Sequence, residues 1–222
     1  SPDAIIYDTF SHCVVDFNGH SANATVIDAK TNKVVTNITL AGNPELAVSD
    51  GQGHVYVNLE DEGMVCAINA STWKVEHTWS LAPGEGPSGL AMDAATHRLF
   101  ANCANKLMVV MDAQSGKVIT TLPIGDHVDG AAFDPGTKRA YAPNGEGTLT
   151  VVQDDSADKY PVLPTLPTQY AARTIDIGTH THHLFLPTAE FGPTPAPTKE
   201  HPRQRPSLLP GSFVVLDVAP GE

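Results

Sequence analysis

An all-β fold, a β-propeller of four-stranded antiparallel blades, is what this 222-residue sequence predicts. Three observations predict it. A hairpin phrase returns at a nearly constant step, three separate landmarks share that step, and no long stretch keeps the apolar period of an amphipathic helix. A lone sheet of this kind buries one face, whereas blades stacked around an axis cover both. A sandwich or an ordinary barrel is not expected to hold one period across strands and loops alike.

The phrase is "VVMDAQSGKVITTLPIG" at 109–125, and it returns as "TVIDAKTNKVVTNITLAG" from Thr25, "CAINASTWKVEHTWSLAP" from Cys66 and "VVQDDSADKYPVLPTLPT" from Val151. Its turn opens on Asp28, Asn69, Asp112 and Asp154, and Lys33, Lys74, Lys117 and Lys159 each follow five positions later. Pro2, Pro44, Pro87, Val128 and Ala172 precede short apolar runs at intervals of 42, 43, 41 and 44. Tyr56, Phe100, Tyr141 and Phe185 mark a later run in the same way.

Within the third unit the runs are "SGLAMD", "RLFANC", "LMVVMD" and "KVITTLPI", separated by turn residues and rich in β-branched side chains. The hairpin turn has a local rationale. An Asp or Asn side chain bonds backbone N–H groups two residues on, and Gly116 or Asn32 accepts a positive φ. Trp73, in the same place, has no such rationale in the sequence.

One domain spanning 1–222 therefore divides into blades at about 2–42, 43–84, 85–126, 127–168 and 169–222. The last contains "ARTIDIG", "HHLFLPT" and "SFVVLDVAPGE" but no fourth, outer run. The expectation is a missing N-terminal segment carrying that strand and further blades. An imperfectly closed five-bladed ring and a strand-donating partner are the alternatives. The proline-rich stretch 187–211 favours extended conformation and reads as a long loop inside the last blade, poised to cover one face.

Thirteen basic against 25 acidic residues give a net charge of −12, which argues against a nucleic-acid partner; "KEHPRQR" at 199–205 is the one basic run. No apolar segment is long enough to span a bilayer. Cys13, Cys66 and Cys103 fit no metal spacing; the first two read as core residues and Cys103 as exposed at a loop. No cofactor motif is present.

Superimposing the units places Asp3, Glu45, Ser88, Asp129 and Arg173 just after the proline landmark, where innermost strands open onto an axial funnel. Packing alone would put apolar residues there. A funnel mouth is wet and therefore polar in any case, but carboxylates with one arginine also suit a cation, an amine or a polar small molecule. Glu60 and Glu190 belong to the same face, with Glu190 opening the proline-rich loop, whereas the recurring Asn18, Asn58, Asn102 and Asn144 read chiefly as turn formers. In "THTHHLF", His182 and His183 align with His97-Arg98 and Lys138-Arg139, and neighbouring strand residues face opposite ways, so a metal reading is disfavoured. "PSGLA" around Ser88 is not a nucleophile elbow. The Asp154-Asp155 pair reads as solvated, and no catalytic constellation emerges.

"VIDAKTNKVV", "VVMDAQSGKVITTLPIG" and the "HVYVN" that precedes the turn resemble the YVTN-type β-propeller repeat of YncE-like bacterial proteins, over essentially the whole chain. The resemblance implies a seven-bladed parent ring and export to the periplasm or the extracellular side, with no common activity attached. The absence of a catalytic set, together with a polar ring at one repeat position, points to a non-enzymatic propeller that binds a small polar ligand or a protein partner at the funnel. A lactonase- or lyase-type enzyme with a carboxylate or metal site there, and a structural subunit of a surface or redox assembly, are the alternatives.

Overall fold

Short runs with apolar residues on alternate positions, or apolar throughout where both faces are covered, pair with their sequence neighbours into five antiparallel sheets. The computed structural model describes residues 2–199 and 204–220. The first sheet contains β1 (Pro2–Asp8), β2 (Cys13–Asn18), β3 (Asn23–Asp28) and β4 (Lys33–Thr39). The second contains β5 (Pro44–Ser49), β6 (His54–Leu59), β7 (Met64–Asn69) and β8 (Lys74–Ser80). The third contains β9 (Pro87–Asp93), β10 (Arg98–Cys103), β11 (Leu107–Asp112) and β12 (Val118–Pro123). The fourth contains β13 (Ala132–Asp134), β14 (Arg139–Asn144), β15 (Thr148–Gln153) and β16 (Leu166–Pro167). The fifth has three strands among the described residues: β17 (Asp176–Gly178), β18 (His183–Thr188) and β19 (Val214–Val218). β1 packs beside β5, β5 beside β9, β9 beside β13 and β13 beside β17, so the five innermost strands stand around one axis as propeller blades.

Four of the five innermost strands turn into the second strand on an aspartate, while the fifth turns at Gly178. Asp93 accepts bonds from the Ala95 N–H and the Thr96 hydroxyl, and Asp134 from the Gly136 N–H and the Thr137 hydroxyl. The residue just before the second strand then adopts positive φ: His12, Gly53, His97, Lys138 and His182. Small side chains bonding the backbone explain the first half of this turn, and the left-handed residue explains its reversal into the second strand.

The outer hairpin corrects the sequence register in blade four. Arg98 pairs with Asp112 and His54 with Asn69, but Arg139 pairs with Gln153, so Gln153 and not Asp154 is the turn-opening residue there. Asp154 instead occupies the place of Ala70 and Ala113. The Asp154, Ala70 and Ala113 N–H groups bond the Lys138, Gly53 and His97 carbonyls, respectively. Nor is Asp154 solvated: it is 5% exposed, packed between the third and fourth blades.

The same alignment explains Trp73. Asn32, Trp73 and Gly116 all close the hairpin with positive φ, and each N–H returns to the carbonyl of the turn-opening residue. The strain at Trp73 is offset by its packing against the core between the first and second blades, beside Val57, Cys66 and Ile68.

Blade faces form the core. Phe17, Phe100, Leu99, Leu149 and Leu186 are fully buried, and Phe100 stacks on Phe133 of the next blade at 5.5 Å. Burying such a side chain contributes roughly 1.5–3 kcal/mol. Cys103 belongs to this core at 0% exposure, contrary to the exposed loop position expected from sequence, because it pairs with Leu107 inside the β10–β11 ladder. All three cysteines are buried and free. Among the described residues no helix is long and apolar enough to cross a membrane. The basic run 199–205 lies partly outside the described residues.

Candidate functional site

The turn aspartates fix the register from which the axial positions are counted. Five residues before Asp8, Asp50, Asp93, Asp134 and the equivalent Gly178 stand Asp3, Glu45, Ser88, Asp129 and Arg173. Because strand residues alternate between faces, the same offset on equivalent strands aims equivalent side chains at the same end of the axis.

Three of these carboxylates share one cavity. Asp3, Glu45 and Asp129 line a space of about 250 Å³ together with Leu46, Thr174 and Ile175. Farther along the axis an open space of about 460 Å³ is lined by Ile6, Val48, Leu90 and Phe133 together with Tyr7, Ser49 and Asp176. The axial region therefore has an acidic mouth at one end and a mixed polar and apolar space farther along.

Glu45 records the electrostatics of that mouth. Burial, and then the charges of Asp3, Glu60 and Asp129, push its pKa up to about 7. Carboxylates crowded in a partly desolvated space cannot all remain ionised, so one holds its proton. Arg173 relieves one member: its Nη2 lies 3.2 Å from Asp129 Oδ2, while the Asp129 N–H bonds the Arg173 carbonyl at 3.1 Å.

The other expected site residues go elsewhere. Ser88 is buried and donates its hydroxyl to the Val128 carbonyl at 3.1 Å, tying blade three to blade four. Glu60 sits on the exposed β6–β7 turn, close enough for its charge to act on Glu45. Glu190 is apart from the carboxylates, in a groove of about 620 Å³ with Gln169, Tyr170, Phe191 and Pro206. Its loop nevertheless reaches the axial side: Phe191 meets the Tyr170 ring edge-on at 6.0 Å, and Phe191, Arg205 and Arg173 line a common cavity of about 380 Å³.

The asparagines divide into two sets that sequence reasoning merged. Asn18 and Asn144 do hold their own hairpins, Asn18 through Asn23 and Thr25 and Asn144 through Thr148 and Thr150. Asn58 and Asn102 lie inside their strands and donate to the Gly89 and Gly130 carbonyls of the following blades, both at 2.9 Å. Their one-residue offset from Asn18 and Asn144 was the only available signal.

The histidine run is structural in its contacts. His182 Nδ1 lies 2.9 Å from Asp134 Oδ2 and links blades four and five; His183 Nδ1 lies 2.6 Å from Asp217. Among the described residues no three His, Cys, Asp or Glu side chains converge as a metal site.

No family model matches the chain, and no curated protein matches it. Among solved structures, the chain is similar to Kuenenia stuttgartiensis hydrazine synthase, with a TM-score of 0.70 and 14% identity over 98% of this chain. The chain spans 62% of the length of that protein's matching chain. This likeness shows the propeller fold.

Proposed function

We propose that the protein is a non-enzymatic, YncE-like exported propeller that captures a small cationic ligand, or the cationic side chain of a partner, at the acidic mouth of its channel. One observation carries the reading: Asp3, Glu45 and Asp129 share a cavity in which burial, and then the neighbouring carboxylates, push the Glu45 pKa up to about 7. A bound cation removes that repulsion, so binding and carboxylate ionisation reinforce each other. The open space farther along the axis leaves room for an organic amine, whereas a bare ion would require several convergent oxygen ligands. The repeat phrases support the YncE-like assignment, and export follows from that assignment. Calorimetric titration with putrescine tests the site. Saturable binding lost in the Glu45→Ala/Asp129→Ala double variant, with little change in melting temperature, supports the reading; unchanged binding in the variant contradicts it.

A structural subunit of a larger assembly is a second reading, favoured by exposed apolar side chains on the two terminal sheets. Ile5 and Tyr7 are 68% and 51% exposed on β1, and Val215 is 51% exposed on β19, which has no outer partner strand among the described residues. A free, apolar strand edge is a template for another strand. Light scattering of the purified protein distinguishes a self-contained monomer from an associating subunit.

A further inference from the structure

Successive blade interfaces are plugged by one equivalent residue, and one interface lacks its plug. Counted from the outer hairpin, Trp73, Gly116 and Tyr160 occupy the position just before Lys74, Lys117 and Pro161, the residues that pair back to the turn-opening Asn69, Asp112 and Gln153. Trp73 packs into the core between blades one and two. Tyr160 packs between blades three and four, edge-on to Phe100 at 6.1 Å, with its hydroxyl accepting from Arg98 Nε at 3.2 Å and donating to the Ala157 carbonyl. Between blades two and three the position is Gly116, and the residue matching Asp154 is Ala113. Both side chains that fill the neighbouring interface are absent.

Trp79 takes part of the vacated room, lying so close over Gly116 that a side chain there would collide with the indole. A cavity of about 310 Å³ remains, bordered by Tyr56, His77, Trp79 and Ala113 and by the polar groups of Asp50, His54 and Glu76. His54 matches Arg98, the residue that holds the Tyr160 hydroxyl, by its pairing at the start of the second strand. It lies 3.3 Å from Asp50 and 3.4 Å from Glu76. Asp50 is buried with both oxygens engaged, Oδ1 by the Gln52 and His54 N–H groups and Oδ2 by His54 Nδ1, which leaves the partly exposed Glu76, on the Nε2 side of that ring, the freer carboxylate.

We propose that this inter-blade cavity is a binding site for a small single-ring aromatic amine. The ring packs against Tyr56 and Trp79 in the room left beside Gly116, and the ammonium group is held by Glu76. Aromatic walls beside a carboxylate are the environment that such a cation seeks. The site lies on the opposite side of blade two from the acidic mouth, near the turn that follows Asp50, so it stands or falls independently of the axial site.

Tyramine is the probe, followed by calorimetry at pH 7.5 and by the backbone amide shifts of blades two and three. The expected result is saturable binding, weakened by about tenfold or more in Glu76→Gln, the scale set by one hydrogen bond to a charged group. Ala113→Leu, which fills the cavity with an apolar side chain, should abolish it. Glu76 is partly exposed, so Glu76→Gln decides the matter should Ala113→Leu fail to fold. Absence of saturation at millimolar tyramine, or equal binding by Glu76→Gln, overturns the proposal. Binding lost in Glu45→Gln but kept in Glu76→Gln assigns the amine to the axial mouth and overturns it as well.

Discussion

The carboxamide of Asn102, in the third blade, donates to the backbone carbonyl of Gly130 in the fourth at 2.9 Å, and also reaches the Tyr141 carbonyl at 3.2 Å. Both partners lie in the following blade, so the bond spans an interface that no backbone ladder crosses. Asn102→Ala should cost about 1–3 kcal/mol, because buried carbonyls lose their donor. Asn18→Ala, which breaks contacts within one hairpin, should cost less. Urea denaturation of the two variants checks the order.

Gly89 marks the same seam from the other side. A side chain there would strike the Gly130 carbonyl, since the innermost strands of blades three and four approach backbone to backbone. Gly89→Ala should destabilise by about 1–3 kcal/mol through overpacking. Thermal denaturation monitored by near-UV circular dichroism measures it.

Tyr160 is the plug of the third interface, buried against Phe100, with its hydroxyl accepting from Arg98 Nε and donating to the Ala157 carbonyl. Tyr160→Ala should cost about 3–5 kcal/mol, as for other large aromatic deletions in a core. Tyr160→Phe keeps the packing and should cost only about 1 kcal/mol, the share of a typical hydrogen bond. A gap between the two variants in a denaturation series separates ring from hydroxyl.

Asp154 gives the fold a pH signature. Burial, and then the charge of Asp93 across the interface, push its pKa up to about 6, from 3.8. The folded state thus holds this proton more tightly than the unfolded chain does. Its contribution is fully present below about pH 4 and is lost as the pH rises through 6. Asp154→Asn, which stays neutral, should be more stable than the parent at pH 8 by about 1–3 kcal/mol and should show a smaller difference at pH 4. Chemical denaturation at the two pH values reads the sign.

Much of this architecture was legible because a repeat turns sequence offsets into spatial equivalences. The left-handed residues His97, Lys138 and His182 align in the sequence and do the same job in the structure. Asp3, Glu45 and Asp129 fall at one offset and line one cavity. What was not legible depends on side-chain direction and on contacts between blades. Ser88 shares the offset but turns its hydroxyl to the next blade. Asp154 stands one place past the turn-opening Gln153, in an interface, although spacing alone registered it as the usual turn residue. Asn58 and Asn144 look alike in a strand-end motif, yet one residue of offset sends the first to a neighbouring blade and the second back to its own.

Site-resolved NMR titration of the Glu45 carboxyl tests most directly whether the axial carboxylates act on one another. The account predicts a midpoint near 7, falling toward 4.5 when Asp3 and Asp129 are replaced by asparagine and falling likewise when putrescine is added. A midpoint near 4.5 in the parent protein, unmoved by either change, would contradict it.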